Sequence, residues 1–362
     1  MIVGQGRRLR VGVIGAGAWA TFAHLPALAR RVDVELDIVN RRDPEALEKV
    51  RVQFGFARAS TDWRDVIDAR PDMVVVTSPG ALHAEQVRAA LEAGAHVLCE
   101  KPFTLAPADA WALTALARAR GRHLMLCYAW NEMGLIEGAR RLLVEDGGVG
   151  TVEHITLDMA TVVRDLLARG TTYLGPTDVA PQSATWADPA ISGGGYGQGQ
   201  LTHGIGLLFR VVAGLRGRDV VAFTAAPGET TVELHDAVLL RFEGGAIGTI
   251  GGASTRPGTF GNEHQLTMRV TGERGVLAFD LGTGTVRRSR GAGDDRRLDV
   301  TDEDVRWSFD RVIDRFVDLA AGRTNENRSP GELGARVVEV LDAMYRSAAN
   351  GGVIRIDHSL GG

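Results

Sequence analysis

Two short stretches hold the residues best suited to chemistry, Gly15-Ala16-Gly17-Ala18-Trp19-Ala20 and Glu100-Lys101-Pro102. The first follows the apolar run Leu9 to Ile14 and precedes Thr21 to Arg30, whose apolar residues have helical spacing. A strand, turn and helix around a GxGxxA pattern is the context expected of a dinucleotide-binding loop. Gly15 permits the tight turn, Gly17 lets the backbone approach a pyrophosphate, and Ala20 keeps helix and strand close. The phosphates would rest on the helix N-terminus, beside Ala18 and Trp19. Glu100 and Lys101 close the strand-like run His96 to Cys99. From there a lysine amine can reach a nicotinamide ring.

The elements that must position these groups follow from the apolar pattern. Strands are expected at Leu9 to Ile14, Glu35 to Val39, Met73 to Thr77, His96 to Cys99 and Leu124 to Cys127, with helices at Thr21 to Arg30, Pro44 to Gln53, Leu82 to Ala93 and Pro107 to Arg120. Pro44 and Pro107 suit a first helical turn, and Gly94 and Gly121 suit helix ends. This alternation predicts a parallel sheet covered on both faces. After Cys127 the pattern changes. A helix at Leu135 to Glu145 leads into alternating runs at Val152 to Thr161, Thr231 to Phe242, Ala246 to Ala253, His264 to Thr271 and Val276 to Asp280, as in a largely antiparallel sheet. Helices at Gln200 to Ala213, Val305 to Ala321 and Gly331 to Ala349 are available to cover one face, leaving the other for an oligomer interface. The division falls at residues 1–128 and 129–362. Arg164 to Ile191 has no clear period and is long for a structureless loop, which points to function. Gly282 to Leu298 reads as a charged hairpin tip.

A chain of 362 residues with 44% hydrophobic content can bury more than one core, and its formal charge is −4. Its arginines are scattered among acids, so neither nucleic acid nor a membrane surface is an expected partner. The N-terminus lacks an apolar stretch long enough for a signal peptide, which predicts a soluble, cytosolic protein. The two cysteines, Cys99 and Cys127, each end a buried strand and fit reduced core thiols. His154, His203, His235 and His264 have no paired ligand spacing, so no metal is implied.

With Val74-Val75-Val76-Thr77-Ser78-Pro79, His83 and the run Gly193-Gly194-Gly195 leading to His203, these motifs occur in an order that resembles the Gfo/Idh/MocA oxidoreductase family over nearly the whole chain. The resemblance implies an α/β protein, with an N-terminal Rossmann doubly wound parallel sheet and a C-terminal α/β domain whose large, mostly antiparallel open sheet binds substrate and forms homodimers or homotetramers. It implies that Lys101 contacts the nicotinamide ribose and the substrate hydroxyl. It further implies that His203 exchanges a proton with that hydroxyl, a role suited to imidazole. Ser78, Pro79, His83 and Glu100 would complete the cofactor site. Many members carry an aspartate four residues before the histidine, where this chain has Gly199.

Cofactor choice should be written at the end of the second strand, where an acid grips a ribose diol and arginines accept a phosphate. The residues there are Asn40-Arg41-Arg42, with no carboxylate at the tip, which favours NADP over NAD. Tyr128, Asn131, Trp186, Tyr196 and Gln198 offer the aromatic and amide groups that suit a sugar ring. The expected activity is hydride transfer to or from a secondary alcohol of a sugar, sugar derivative or cyclitol. The alternative is an NAD-dependent glycosidase working by oxidation, elimination, hydration and reduction, similar in its Thr202-His203-Gly204 stretch to some glycosidases of this superfamily. Arg164 would then bind an anionic sugar.

Overall fold

The computed structural model describes residues 7–170, 184–228, 230–259, 264–291 and 293–361. Strands β1 (Leu9–Ile14), β2 (Val34–Asn40), β3 (Arg58–Ser60), β4 (Met73–Val76), β5 (His96–Cys99) and β6 (Leu124–Leu126) form one sheet in the order β3-β2-β1-β4-β5-β6. Every pairing in it is parallel. The order reverses beside β1, and the crevice at such a reversal, outside the strand C-termini, is where open α/β sheets bind ligands. All four residues of β4 are buried because helices cover both faces.

The helices Pro44–Phe54, His83–Glu92 and Pro107–Ala119 lie where the apolar spacing places them. Gly94 and Gly121 have φ of 90° and 61°, the left-handed geometry that ends a helix. The segment after the glycine loop departs from expectation. It is a π-helical turn, Ala20–His24, followed by a short α-helix, Leu25–Ala29. Pro26 has no N–H to continue the α ladder, and the wider turn carries His24 into the core at 0% exposure. β3 and the helix Arg64–Asp68 were not expected, being too short and polar to show a period.

The second sheet contains β7 (Val152–Thr161), β8 (Gly217–Ala225), β9 (His235–Phe242), β10 (Ile247–Ser254), β11 (His264–Gly272), β12 (Gly275–Asp280), β13 (Thr285–Ser289), β14 (Arg296–Arg297) and β15 (Ile354–Arg355). Their order is β14-β13-β12-β11-β7-β10-β9-β8-β15, antiparallel except for β7 against β10. The stretch read as a hairpin tip holds β13 and β14, and its Arg288 is fully buried, donating to the Glu145 carbonyl at 2.8 Å. The stretch read as a structureless loop begins with the helix Arg164–Arg169 and ends with the short helices Ala184–Ala187 and Pro189–Ser192, while 171–183 lie outside the described residues.

The helices Thr202–Val211 and Gly331–Asn350 pack on the inner face of this sheet, joining a core with Leu157, Val220 and Leu240. The helix Phe309–Ala320, expected to join them, covers the parallel sheet instead. Its Val312, Ile313, Phe316 and Val317 enter the core formed by Val11, Val13 and Leu28. The chain thus returns to its first sheet and brings the residues just before this helix to the glycine loop.

One inward group on β9 is out of keeping with an apolar core. Asp236 is 5% exposed, and neither carboxylate oxygen has a partner among the described residues. Burial, reinforced by the charge of Glu233, raises its pKa from 3.8 to about 8. The folded state therefore holds this proton where the unfolded chain releases it. The stability it confers is complete below the unfolded pKa and is lost as pH rises through 8. Asp236→Asn is expected to melt above the wild type near pH 9, with the difference closing near pH 4. Calorimetry across that range checks this, and superimposable curves at pH 9 would refute it.

Candidate active site

The site is built on a buried carboxylate. Glu100, immediately after β5, is 6% exposed. Its Oε1 accepts from the Trp19 indole N–H at 2.9 Å and lies 2.7 Å from His24 Nε2, while its Oε2 accepts the Lys101 backbone N–H at 3.0 Å. Burial alone would raise this carboxyl, but the hydrogen bond and charge of His24, with the ammonium of Lys101, bring it to about 2. The ligand atoms of His24, Glu100 and Cys127 lie within 4.8 Å of one another, a spacing compatible with a metal ion. Both Glu100 oxygens are already acceptors, however, and burial pushes the Cys127 thiol well above its usual value. The group works as a hydrogen-bonded post.

Lys101 extends from this post. Its Nζ donates to the Gly199 carbonyl at 2.8 Å and lies 5.8 Å from the centre of the Trp186 ring. Burial lowers its pKa, and the neighbouring Glu100 opposes the shift. Gly199 belongs to a π-helical turn, Gly197–Leu201, that follows the glycine run. The turn is anchored by a second buried carboxylate, Glu233, which accepts from the N–H of Gly195 at 2.8 Å, the N–H of Gly197 at 3.0 Å and the Tyr345 hydroxyl at 2.6 Å. A Cβ on Gly195 would collide with the Glu233 backbone, so the close approach requires glycine. His203 then emerges in the first turn of Thr202–Val211. Its ring lies 5.3 Å from Trp130 and 5.9 Å from Tyr128, and its Nδ1 has no partner among the described residues. Burial, helped by the charge of Lys101, takes its pKa well below the ordinary value, leaving a neutral ring able to accept a proton.

The glycine loop fits a dinucleotide. Gly15 has φ of 85°, and a Cβ there would meet the Ser78 nitrogen at 2.6 Å. A Cβ on Gly17 would meet nothing closer than 3.7 Å, so the approach to its backbone is open. Ala18 and Trp19 begin the helix, where N–H groups lack intrahelical acceptors. Arg41 donates from Nη1 to the Ala16 carbonyl at 2.7 Å, at the edge of the loop. Asn40 contributes through its backbone: its carbonyl accepts from Gly15 and Ala16, while its side-chain amide turns away to the Ser60 carbonyl at 3.0 Å. Ser78 donates to Gln86 Oε1 at 2.5 Å, and Pro79 precedes the turn Gly80–Leu82. His83, expected at the cofactor, is buried as a staple. Its Nδ1 lies 2.8 Å from the Pro102 carbonyl and its Nε2 2.7 Å from that of Ser78.

Between the lysine and the glycine loop lies a pocket with about 410 Å³ of free space, part of it open to solvent. Trp19, Trp130, Trp307, Phe309 and Cys127 form its apolar walls, and Glu100, Lys101, Gln200, His203 and His264 its polar points. Several expected substrate contacts are elsewhere. Tyr128 is buried behind His203, its hydroxyl 3.3 Å from Thr202 Oγ1. Asn131 donates to Ser329 Oγ at 3.0 Å, and Tyr196 donates to the Met159 carbonyl at 3.2 Å. Gln198 is buried, with its backbone N–H on Tyr345, and Arg164 Nη1 lies 3.4 Å from His235 Nε2. Conversely, Trp307, Phe309 and His264 were not foreseen. Ser308, whose side chain accepts from the Asp310 N–H, caps the following helix and breaks the one expected from Val305. That cap was the available signal.

Residues 9–128 match the profile described as oxidoreductase family, NAD-binding Rossmann fold, and residues 171–356 match that of the oxidoreductase family C-terminal alpha/beta domain. The chain belongs to the Gfo/Idh/MocA oxidoreductase family. Among its relatives, levoglucosan dehydrogenase of Pseudarthrobacter phenanthrenivorans is 26% identical over 312 residues, 76% of this chain and 74% of that protein. The dTDP-3,4-didehydro-2,6-dideoxy-alpha-D-glucose 3-reductase of Streptomyces violaceoruber is 30% identical over 361 residues, 94% of this chain and 96% of that protein. The crystal structure of GenD2 from gentamicin A biosynthesis in complex with NAD superposes with a TM-score of 0.78 at 26% identity, over 98% of both chains. The Gfo/Idh/MocA protein described here is thus an oxidoreductase with an NAD-binding Rossmann domain. No helix among its described residues is long and apolar enough to cross a membrane.

Proposed function

We propose that the protein oxidises or reduces a secondary alcohol of a neutral sugar, sugar derivative or cyclitol. The observation that carries this reading is the meeting of the Lys101 ammonium and the neutral His203 imidazole in one aromatic-walled pocket beside the glycine loop. Bound on that loop, a nicotinamide dinucleotide supplies the two-electron acceptor or donor. Lys101 holds the substrate oxygen and stabilises the negative charge it develops. His203 takes the hydroxyl proton in oxidation and returns it in reduction. The aromatic walls suit the apolar faces of a sugar ring, and among the described residues no arginine lines the pocket for an anionic one. The relatives named for sugar dehydrogenation and reduction support the same class of substrate.

NADP is accepted as well as NAD on this reading. The first carboxylate beyond the β2 tip, Asp43, accepts from the N–H groups of Glu45 and Ala46, and Arg41, with Nη1 on the Ala16 carbonyl, stands at the edge of the glycine loop where an adenosine phosphate would lie. The unpaired buried thiols of Cys99 and Cys127 support a reducing, cytoplasmic setting. On the outer sheet face Phe223, Leu239 and Ile247 are 74%, 55% and 51% exposed, which supports a homodimer or homotetramer joined there.

Free sugars, cyclitols and aryl glycosides are to be incubated with the cofactor-loaded protein while reduced-nicotinamide absorbance and aglycone release are followed together. A stoichiometric change in the nicotinamide signal is expected. Aglycone release without it would establish the glycosidase instead. Lys101→Ala and His203→Ala should each lower turnover about a hundredfold or more while cofactor affinity stays within a few fold. Oxidation by the wild type should lose rate as pH falls through the His203 pKa, which burial holds well below the ordinary imidazole value, and again as pH rises through the Lys101 pKa, which burial lowers from the ordinary ammonium value. Full activity in either variant would remove that residue from the mechanism. In addition, Arg41→Ala should weaken NADP more than NAD in calorimetric titration, and an unchanged ratio would reject its role in reading the phosphate.

A further inference from the structure

Of the polar groups that line the pocket, His264 has no part in the chemistry just described. It is the first residue of β11, paired in register with Thr161 of β7. It shares strand parity with Leu266, Met268 and Val270, so its side chain joins the inward face of the sheet, toward the pocket. The ring sits between two tryptophans, 5.5 Å from Trp130 and 5.8 Å from Trp307. Neither Nδ1 nor Nε2 has a hydrogen-bond partner among the described residues, although both atoms are buried. Buried polar side chains are rarely left without a partner, and one that is so left in a ligand pocket calls for a partner from the ligand.

The geometry points to His264 as a substrate-binding residue that hydrogen-bonds a non-reacting hydroxyl of the sugar or cyclitol, with Trp130 and Trp307 holding the ring in place. This rests on the proposed function and adds to it a second recognition point, distinct from the hydroxyl held by Lys101 and His203. Burial, reinforced by the charge of Lys101, brings the His264 pKa down to about 4, so the ring is neutral at ordinary pH. A neutral imidazole presents one donor and one acceptor, the same pair that a hydroxyl offers. It is therefore matched to an uncharged polyol, and poorly to a carboxylate or phosphate, which would need donors alone.

The test uses cofactor-loaded wild type and the variants His264→Phe and His264→Gln, assayed on the most active compound of the panel and on each of its monodeoxy analogues. His264→Phe keeps an aromatic ring between the tryptophans without the hydrogen bond, whereas His264→Gln restores a donor and an acceptor. His264→Phe is expected to lose about tenfold in kcat/KM, mainly through KM, with NAD affinity unchanged and His264→Gln recovering most of the loss. One monodeoxy analogue should show the same loss with the wild type and no further loss with His264→Phe, the non-additivity expected of groups in contact. Melting curves of both variants separate a binding defect from misfolding, and His264→Gln carries the test if His264→Phe is unstable. Wild-type kcat/KM in His264→Phe, or additive losses at every deoxy position, would overturn the inference alone. A wild type inactive on the whole panel would overturn it together with the proposed function.

Discussion

The candidate active site depends on the Glu100 carboxylate. Three donors from two distant parts of the chain converge on its two oxygens: the indole of Trp19, the imidazole of His24 and the backbone of Lys101. A buried donor left without its acceptor costs about 1–3 kcal/mol, so the three together define the position of the strand end closely. Two of these donors come from the helix that follows the glycine loop, and the third from the residue that carries the proposed catalytic amine. One charge therefore sets the distance between cofactor loop and lysine. Glu233 does the corresponding work on the other side, where it holds the glycine run that delivers Gly199 and His203.

The missing aspartate acquires a physical meaning in this setting. The Lys101 amine is held by the Gly199 carbonyl, a neutral acceptor made available in the π-helical turn. Burial is then free to lower the lysine pKa. A more acidic ammonium is the stronger hydrogen-bond donor to an oxygen gaining negative charge, so the substitution leaves the amine suited to its proposed task.

Much of the fold was legible because several of its strands have clear ends. β1, β5 and β7 occupy the spans their residues indicate, since each is a β-branched or alternating run closed by glycine, charge or a turn. Among the elements that were missed, β8 opens on Gly217-Arg218-Asp219, β3 is three residues long, and β13 carries two arginines, one of which is buried where backbone carbonyls from 142 and 145 and the Asp294 carboxylate receive it. At the site, Lys101 and His203 were singled out by short motifs, and both line the pocket. Tyr128, Asn131 and Tyr196 do not, since whether an aromatic or amide faces a pocket or a packed interior is decided by partners such as Thr202, Ser329 and Met159. His264 owes its place to Trp130 and Trp307, which only the folded chain brings together.

The most direct test of this account is the crystal structure of Glu100→Gln with NAD, joined to calorimetric titration of the same variant with NAD. A glutamine has the shape of the glutamate but presents an NH₂ where an acceptor is required, and in either orientation that group faces a donor. The account predicts that Trp19 or the Lys101 backbone moves away, that the contact from Lys101 Nζ to the Gly199 carbonyl is lost, and that NAD affinity falls. An unmoved Trp19 and Lys101 with wild-type NAD affinity would contradict it.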